Sequence, residues 1–272
     1  MKHTFPVTGP LDVFVEIGSG SVSVVVADTD EATIEVEGRD AEQVDVDLDR
    51  DKLRIVAPRR TGFLSGFQGV SVQVRTPRGS SLGTRLGSAG VSVEGTLENA
   101  RVNTGSGEVT LDEVAGEALV KTGSGEIAIR SVGAETEIKT GSGDIGIGHL
   151  AGPARLSTGS GDIEVGRADG PTSCKTGSGD IVVREAKGQA QLAAGSGQLH
   201  VGRMTRGQAE LKNASGDIRL GVPTGTPVWT DVSSVSGSVR STLPPTGAPS
   251  EGQDHVEVRA RTVSGDVYLE SI

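Results

Sequence analysis

Apolar residues return to equivalent places in this chain at a fixed interval of 18 residues. One column reads Val109, Ile127, Ile145, Ile163, Ile181 and Leu199, and a second, two positions later, reads Leu111, Ile129, Ile147, Val165, Val183 and Val201. A third reads Val102, Val120, Ile138, Leu156, Cys174 and Leu192. Within each short segment apolar and polar positions alternate, the period of a strand with one buried face. Each segment lasts about five residues before a glycine-containing turn, too short for a helix. The pattern predicts coils of two strands and two turns. Stacked coils place equivalent residues side by side, so two sheets face each other across a thin aliphatic core. A lone coil buries too little to offset the entropy of ordering it, so such coils must come in series.

The turn repeats with the same interval. Gly-Ser-Gly begins at Gly105, Gly123, Gly141, Gly159, Gly177 and Gly195, and a degenerate copy, Gly87-Ser88-Ala89-Gly90, precedes them. A phosphate-cradling loop needs a following helix and usually a lysine. Here each turn leads into a strand and an acid follows, so the glycines are read as tight corners that use positive φ. The serines are assigned to local backbone groups at those corners. Regularity fades after Gly197, and Lys212-Asn213-Ala214-Ser215-Gly216-Asp217 follows a one-residue insertion. Strands are expected near 228–240, 255–263 and 266–270, around a Pro-rich loop at 243–253. Residues 1–80 alternate as strands without the strict period. The resulting division is an N-terminal β cap (1–80), regular coils (81–221) and a C-terminal closing segment (222–272), in one continuous domain. The fold class is all-β, a β-solenoid with a two-strand coil.

Composition narrows the function classes. Of 272 residues 41 are glycine and only 2% are aromatic, so the walls of a typical substrate pocket are scarce. A net charge of −10 argues against a nucleic-acid partner, which draws on clustered Lys and Arg. No run approaches the ~18 apolar residues of a membrane span. Nor does an apolar stretch of the roughly 7–15 residues of a secretory signal follow Lys2. These features place the protein in the cytoplasm, with the cell surface open only to an export route the sequence does not display. The single Cys174 sits in an apolar column and reads as a small buried hydrophobe.

The most tempting chemistry is an acidic column, Glu108, Glu126, Asp144, Asp162 and Asp180, which neighbours an inward column and so points outward. It reads as a solvated charge ladder. Calcium is the competing reading, because calcium-binding β-rolls share the coil length; in those, however, the acid lies two residues before the buried aliphatic. A glycosidase pair would need two acids in different environments, whereas every coil repeats the same one. His3, His149, His200 and His255 share no column. The Thr column from Thr104 to Thr176 has the parity of the core and lines its edge. Phe63, Leu64 and Phe67 stand in a glycine-punctuated loop and form the candidate partner contact.

The strands of 1–57, the segment Val70–Ser80, the Thr-Gly-Ser-Gly-Asp-Ile coils and the ending Val256–Val267 together resemble the bacterial putative-adhesin β-strand-repeat family. The resemblance covers nearly the whole chain and implies the solenoid fold. It brings no established biochemical function, cofactor or catalytic residue, and its adhesin label implies a surface role. The expected function is a non-enzymatic scaffold without cofactors whose partner is an unidentified protein or another copy of itself. The alternatives are a self-assembling solenoid polymer, a surface adhesin and, last, a glycan-active enzyme.

Overall fold

The computed structural model describes residues 1–58, 69–244 and 254–272. The chain forms two compact units, Met1–Thr140 and Gly141–Ile272. Each is built from two sheets whose inner faces carry the predicted aliphatic columns. Apart from a 3-10 turn at Ala41–Gln43, the described residues form strands, turns and irregular connections.

In the first unit, one sheet runs in spatial order β1 (Lys2–Pro6), β4 (Glu31–Glu37), β7 (Val70–Pro77), β3 (Gly20–Ala27), β9 (Gly90–Leu97), β11 (Val109–Val114) and β13 (Ile127–Val132). The other runs β5 (Asp45–Asp49), β6 (Lys52–Val56), β2 (Asp12–Ile17), β8 (Ser81–Leu86), β10 (Ala100–Thr104), β12 (Ala118–Thr122) and β14 (Thr136–Lys139). Pairing is parallel in the coils and turns antiparallel at one end, where β1 pairs with β4, β4 with β7, and β5 with β6. That end is also interleaved. β6 and β7 follow β2 and β3 in sequence but lie outside them, while β8 and β9 lie on the other side.

In the second unit, one sheet runs β15 (Ile145–Leu150), β17 (Ile163–Ala168), β19 (Ile181–Ala186), β21 (Leu199–Met204), β23 (Ile218–Val222), β27 (Val267–Ser271) and β25 (Val239–Ser241). Its partner runs β16 (Ala154–Thr158), β18 (Thr172–Ser178), β20 (Ala190–Ser196), β22 (Gly207–Ser215), β26 (Val256–Ser264) and β24 (Val228–Ser236). The inserted residue appears as a change of register: Thr172 faces Ala190, but Ala190 faces Ala209, one residue further along. The coil β26–β27 is threaded between β22–β23 and β24–β25, so sequence order and spatial order differ here.

Why the corners are glycine differs from the expectation. Gly107, Gly125 and Gly161 are not in the left-handed region; the constraint on them is steric. A Cβ on Gly125 would lie 1.9 Å from the Gly107 carbonyl oxygen, and one on Gly161 would lie 2.1 Å from that of Gly143. Coil backbones approach so closely here because the corners are themselves in the ladder, as Gly123 N donates to Gly105 O at 2.8 Å and Gly177 N to Gly159 O at 3.1 Å. Positive φ does occur at other second-glycine positions, at Gly20 (118°) near the start and at Gly179 (155°), Gly197 (135°) and Gly216 (123°) later in the chain.

The hydroxyl work at the corner falls to threonine. Ser106 and Ser124 are exposed, whereas Thr104, Thr122, Thr158 and Thr176 are buried at 6–8% relative exposure. Thr104 Oγ1 donates to Ala89 O (2.9 Å), Thr158 to Gly143 O (3.0 Å) and Thr176 to Gly161 O (2.9 Å), each stitching a coil to the one before it. Asn213 takes this place in its own coil, with Nδ2 donating to Gly197 O at 3.0 Å and Gly216 O at 2.9 Å.

Cys174 is fully buried in its aliphatic column, and burial pushes its thiol up to about 12. Because the thiolate is the reactive form, the native protein is expected to leave a disulfide-exchange reagent unreacted and to release one equivalent of thiol only on unfolding. Rapid stoichiometric labelling of the folded protein would show that this column is open to solvent.

Candidate functional site

The outward-facing acids have a structural use. In the second unit, Asp144 Oδ1 accepts from the Asp162 backbone N–H (2.8 Å), Asp162 from Asp180 (2.7 Å) and Asp180 from Gln198 (2.7 Å). Asp217 and Asp266 continue the habit, accepting from the amides of Asp266 (2.9 Å) and Ser238 (2.8 Å). The short aspartate arm reaches the next coil's amide beside the corner, which explains Asp over Glu at these places. Glu108 and Glu126, in the first unit, are exposed, and it is their backbone carbonyls that accept, from Val91 and Val109. The Ser238 amide, with lesser help from Tyr268, holds the Asp266 carboxyl below the usual carboxylate range. Asp112, which accepts from Gly95 N at 3.0 Å, is lowered in the same way. The support these groups lend is present above the ordinary carboxylate range and lost as pH falls through their lowered values.

The histidines are dispersed. His149 Nε2 lies 2.9 Å from Asp169 Oδ2, and Arg167 Nε donates to the other carboxylate oxygen at 2.9 Å, with Lys187 at 3.5 Å. Arg167 first, and His149 second, hold the Asp169 carboxyl well below the usual range. This cluster pins the corner opposite Gly-Ser-Gly. Among the described residues no three His, Cys, Asp or Glu side chains converge as metal ligands would. Phe63, Leu64 and Phe67 lie outside the described residues.

A different feature breaks the flatness of the sheets. In the first unit the outward column of one sheet reads Arg54, Phe14, Gly83, Arg101, Leu119 and Glu137 across β6, β2, β8, β10, β12 and β14. Gly83 sits mid-strand, where glycine weakens a strand and offers no side chain to pack. The missing side chain leaves a trough between Phe14 and Arg101, and a Cβ there would meet only Phe14 Cδ2 at 3.4 Å and Val13 O at 3.9 Å. The groove holds about 610 Å³ and is walled by Phe14 and Leu119, with Asp12, Asn99, Arg101 and Glu117 around it. Asn99 is fixed by accepting from the Glu117 N–H at 3.0 Å. Phe14 and Leu119 are half-buried, so each presents an apolar flank beside groups of both charges. This mixture of a small apolar wall and polar rim fits binding of an extended segment better than bond-breaking chemistry.

Sequence reasoning did not find this groove. Phe14 and Gly83 are adjacent only because β2 pairs with β8 across the interleaved cap, a pairing outside the 18-residue period. The one local signal was a glycine in the middle of the alternating segment Ser81–Leu86.

The Toastrack DUF4097 family profile matches residues 14–181 and 172–270. A putative adhesin from Bacteroides fragilis is similar over 100% of this chain and 96% of its own, at 13% identity and a TM-score of 0.46. A putative adhesin from Parabacteroides distasonis is similar over 99% and 96%, at 12% identity and a TM-score of 0.39. No curated protein is similar to the chain. No helix among the described residues is long and apolar enough to cross a membrane.

Proposed function

We propose that this chain, which belongs to the Toastrack family, is a non-enzymatic scaffold that holds an extended protein segment in the groove between Phe14 and Leu119. The observation that carries the reading is the break at Gly83: an otherwise repetitive sheet face acquires one trough, lined by apolar flanks and by charges of both signs. The acids support it from the other side. An acid–base pair needs two carboxyls set apart by environment, and Asp144, Asp162 and Asp180 are alike in holding the next coil's amide. The rim carries Asp12 and Glu117 against one Arg101, so segments with a basic residue beside an apolar one are favoured.

The test is selection of a random peptide library on the immobilised protein, followed by binding to Gly83→Leu. A leucine projects into the trough with its Cβ no closer than 3.9 Å to a backbone atom, so the fold is expected to be retained and its melting to stay within a few degrees. Selected peptides should lose at least about tenfold in affinity, as loss of a central pocket contact does. Peptides that bind Gly83→Leu as well as the wild type would move the site elsewhere and sink this assignment.

A further inference from the structure

The second unit carries a cluster that has no part in the groove. On the outer face of one of its sheets, paired residues read Glu164, Val182, His200, Arg219, Tyr268 and Arg240 across β17, β19, β21, β23, β27 and β25. Because β27 is threaded between β23 and β25, the chain's single tyrosine stands between two arginines. Arg219 Cζ lies 5.2 Å and Arg240 Cζ 5.6 Å from the centre of the Tyr268 ring, near enough for the ring to hold both cations.

The ring is itself fixed. Tyr268 is half-buried, and its hydroxyl donates to Asp266 Oδ2 at 3.0 Å. Asp266 Oδ1 accepts from the Ser238 amide at 2.8 Å, and Asp217 Oδ1 from the Asp266 amide at 2.9 Å. These carboxylates leave the guanidinium donors unspent. Arg219 stands 3.8 Å from Asp217 and Arg240 4.0 Å from Asp266, beyond hydrogen-bond length. Arg184, on β19, by contrast donates its Nε–H to Glu164 at 2.8 Å. The acids also lie deeper, their side chains 31% and 29% exposed against 48% for Arg219 and 66% for Arg240. A ligand arriving from solvent meets the two arginines first.

We infer that the Arg219–Tyr268–Arg240 row is a second binding site, and that its occupant is an acidic protein segment in the polyproline II conformation with carboxylates three residues apart. Spacing carries the assignment. Neighbouring strands lie about 4.7–4.9 Å apart, so residues two strands apart are separated by about 9.4–9.8 Å. A polyproline II helix rises about 3.1 Å per residue with three residues per turn, which returns side chains to one side every ~9.3 Å. An extended β-strand returns them at about 6.4–6.8 Å and an α-helix at about 5–6 Å, both too short for the two arginines. Each carboxylate takes one guanidinium in charge-assisted hydrogen bonds. Tyr268, between them, supplies the aromatic contact on which proline-rich segments dock. The contacts are exposed, so affinity is modest, with Kd roughly 0.1–1 mM, and it falls as salt rises.

The single tyrosine makes the test direct. The whole chain, with isotope-labelled tyrosine, is titrated with the end-blocked peptide Glu-Pro-Pro-Glu-Pro-Pro-Glu while the Tyr268 ring signals are followed by nuclear magnetic resonance. The peptide should shift them saturably in that affinity range, and the same peptide with glutamine for glutamate should not. A peptide with one further proline between its glutamates should bind at least about threefold more weakly. Arg219→Gln and Arg240→Gln should each weaken binding at least about threefold, with the melting temperature held within a few degrees because both side chains are exposed. Three results would each overturn the inference: no saturable shift, equal binding by the variants or by the wider-spaced peptide, or the same shift from inorganic phosphate at equal concentration. The last would make the row a site for a lone oxyanion.

Discussion

Gly125→Ala is expected to lower stability by about 3 kcal/mol or more, at the upper end of what single substitutions do. The added Cβ would stand 1.9 Å from the Gly107 carbonyl oxygen and 3.1 Å from Thr122 Oγ1. Neither neighbour can give way cheaply. The carbonyl belongs to the adjacent coil's corner, and the Thr122 hydroxyl accepts from the Gly125 N–H itself at 3.1 Å. Relief requires the coils to separate at the corner, which stretches the Gly123–Gly105 hydrogen bond and opens the aliphatic column beneath it. Overpacking of a yielding core costs about 1–3 kcal/mol, and a backbone clash that breaks hydrogen bonds lies above that. Ser124→Ala, one position away and exposed, should stay within about 0.5 kcal/mol. Urea unfolding followed by far-ultraviolet circular dichroism separates the two. A Gly125→Ala midpoint equal to that of Ser124→Ala would mean the coils stand further apart than described, and that the corner glycines serve backbone conformation after all.

That substitution also marks the boundary of what could be read from the chain. The 18-residue interval made the columns Val109–Ile127 and Ile145–Ile163 visible because stacking in register repeats one environment. The same repetition hid the reason for each residue. Glycine at a corner is equally consistent with positive φ and with close stacking, and only the distance between coils decides between them. The acid before each Ile was visible as a column, but its bond to the next coil's amide depends on the length of one side chain and the orientation of one N–H. Where the interval fails, at both ends of the chain, the strands themselves were still legible from alternation, but their order in the sheets was not. The Phe14–Gly83 pair arises from a register that no local pattern encodes, since Asp12–Ile17 and Ser81–Leu86 are brought together across the interleaved cap. The groove was therefore invisible, although its floor was a glycine that ordinary strand chemistry does not favour.

The segment from Val228 onward shows the same limit and can be tested by a pair of substitutions. By sequence order the segment Val256–Ser271 comes last and would form the outermost coil, less buried than Val228–Ser241. The structure reverses this. Val258 is 0% exposed, held between Ala209 on one side and Thr230 on the other, while Val232 lies on the outer strand and is half-buried. Val258→Ala removes two buried methyl groups and leaves a cavity between strands that cannot collapse, so it should cost about 2–3 kcal/mol. Val232→Ala removes the same atoms from a side chain already partly in water and should cost less than about 1 kcal/mol. Equal or inverted costs would place β26 on the outside of the stack. The expected asymmetry would fix β26 as an interior strand of the stack, between β22 and β24.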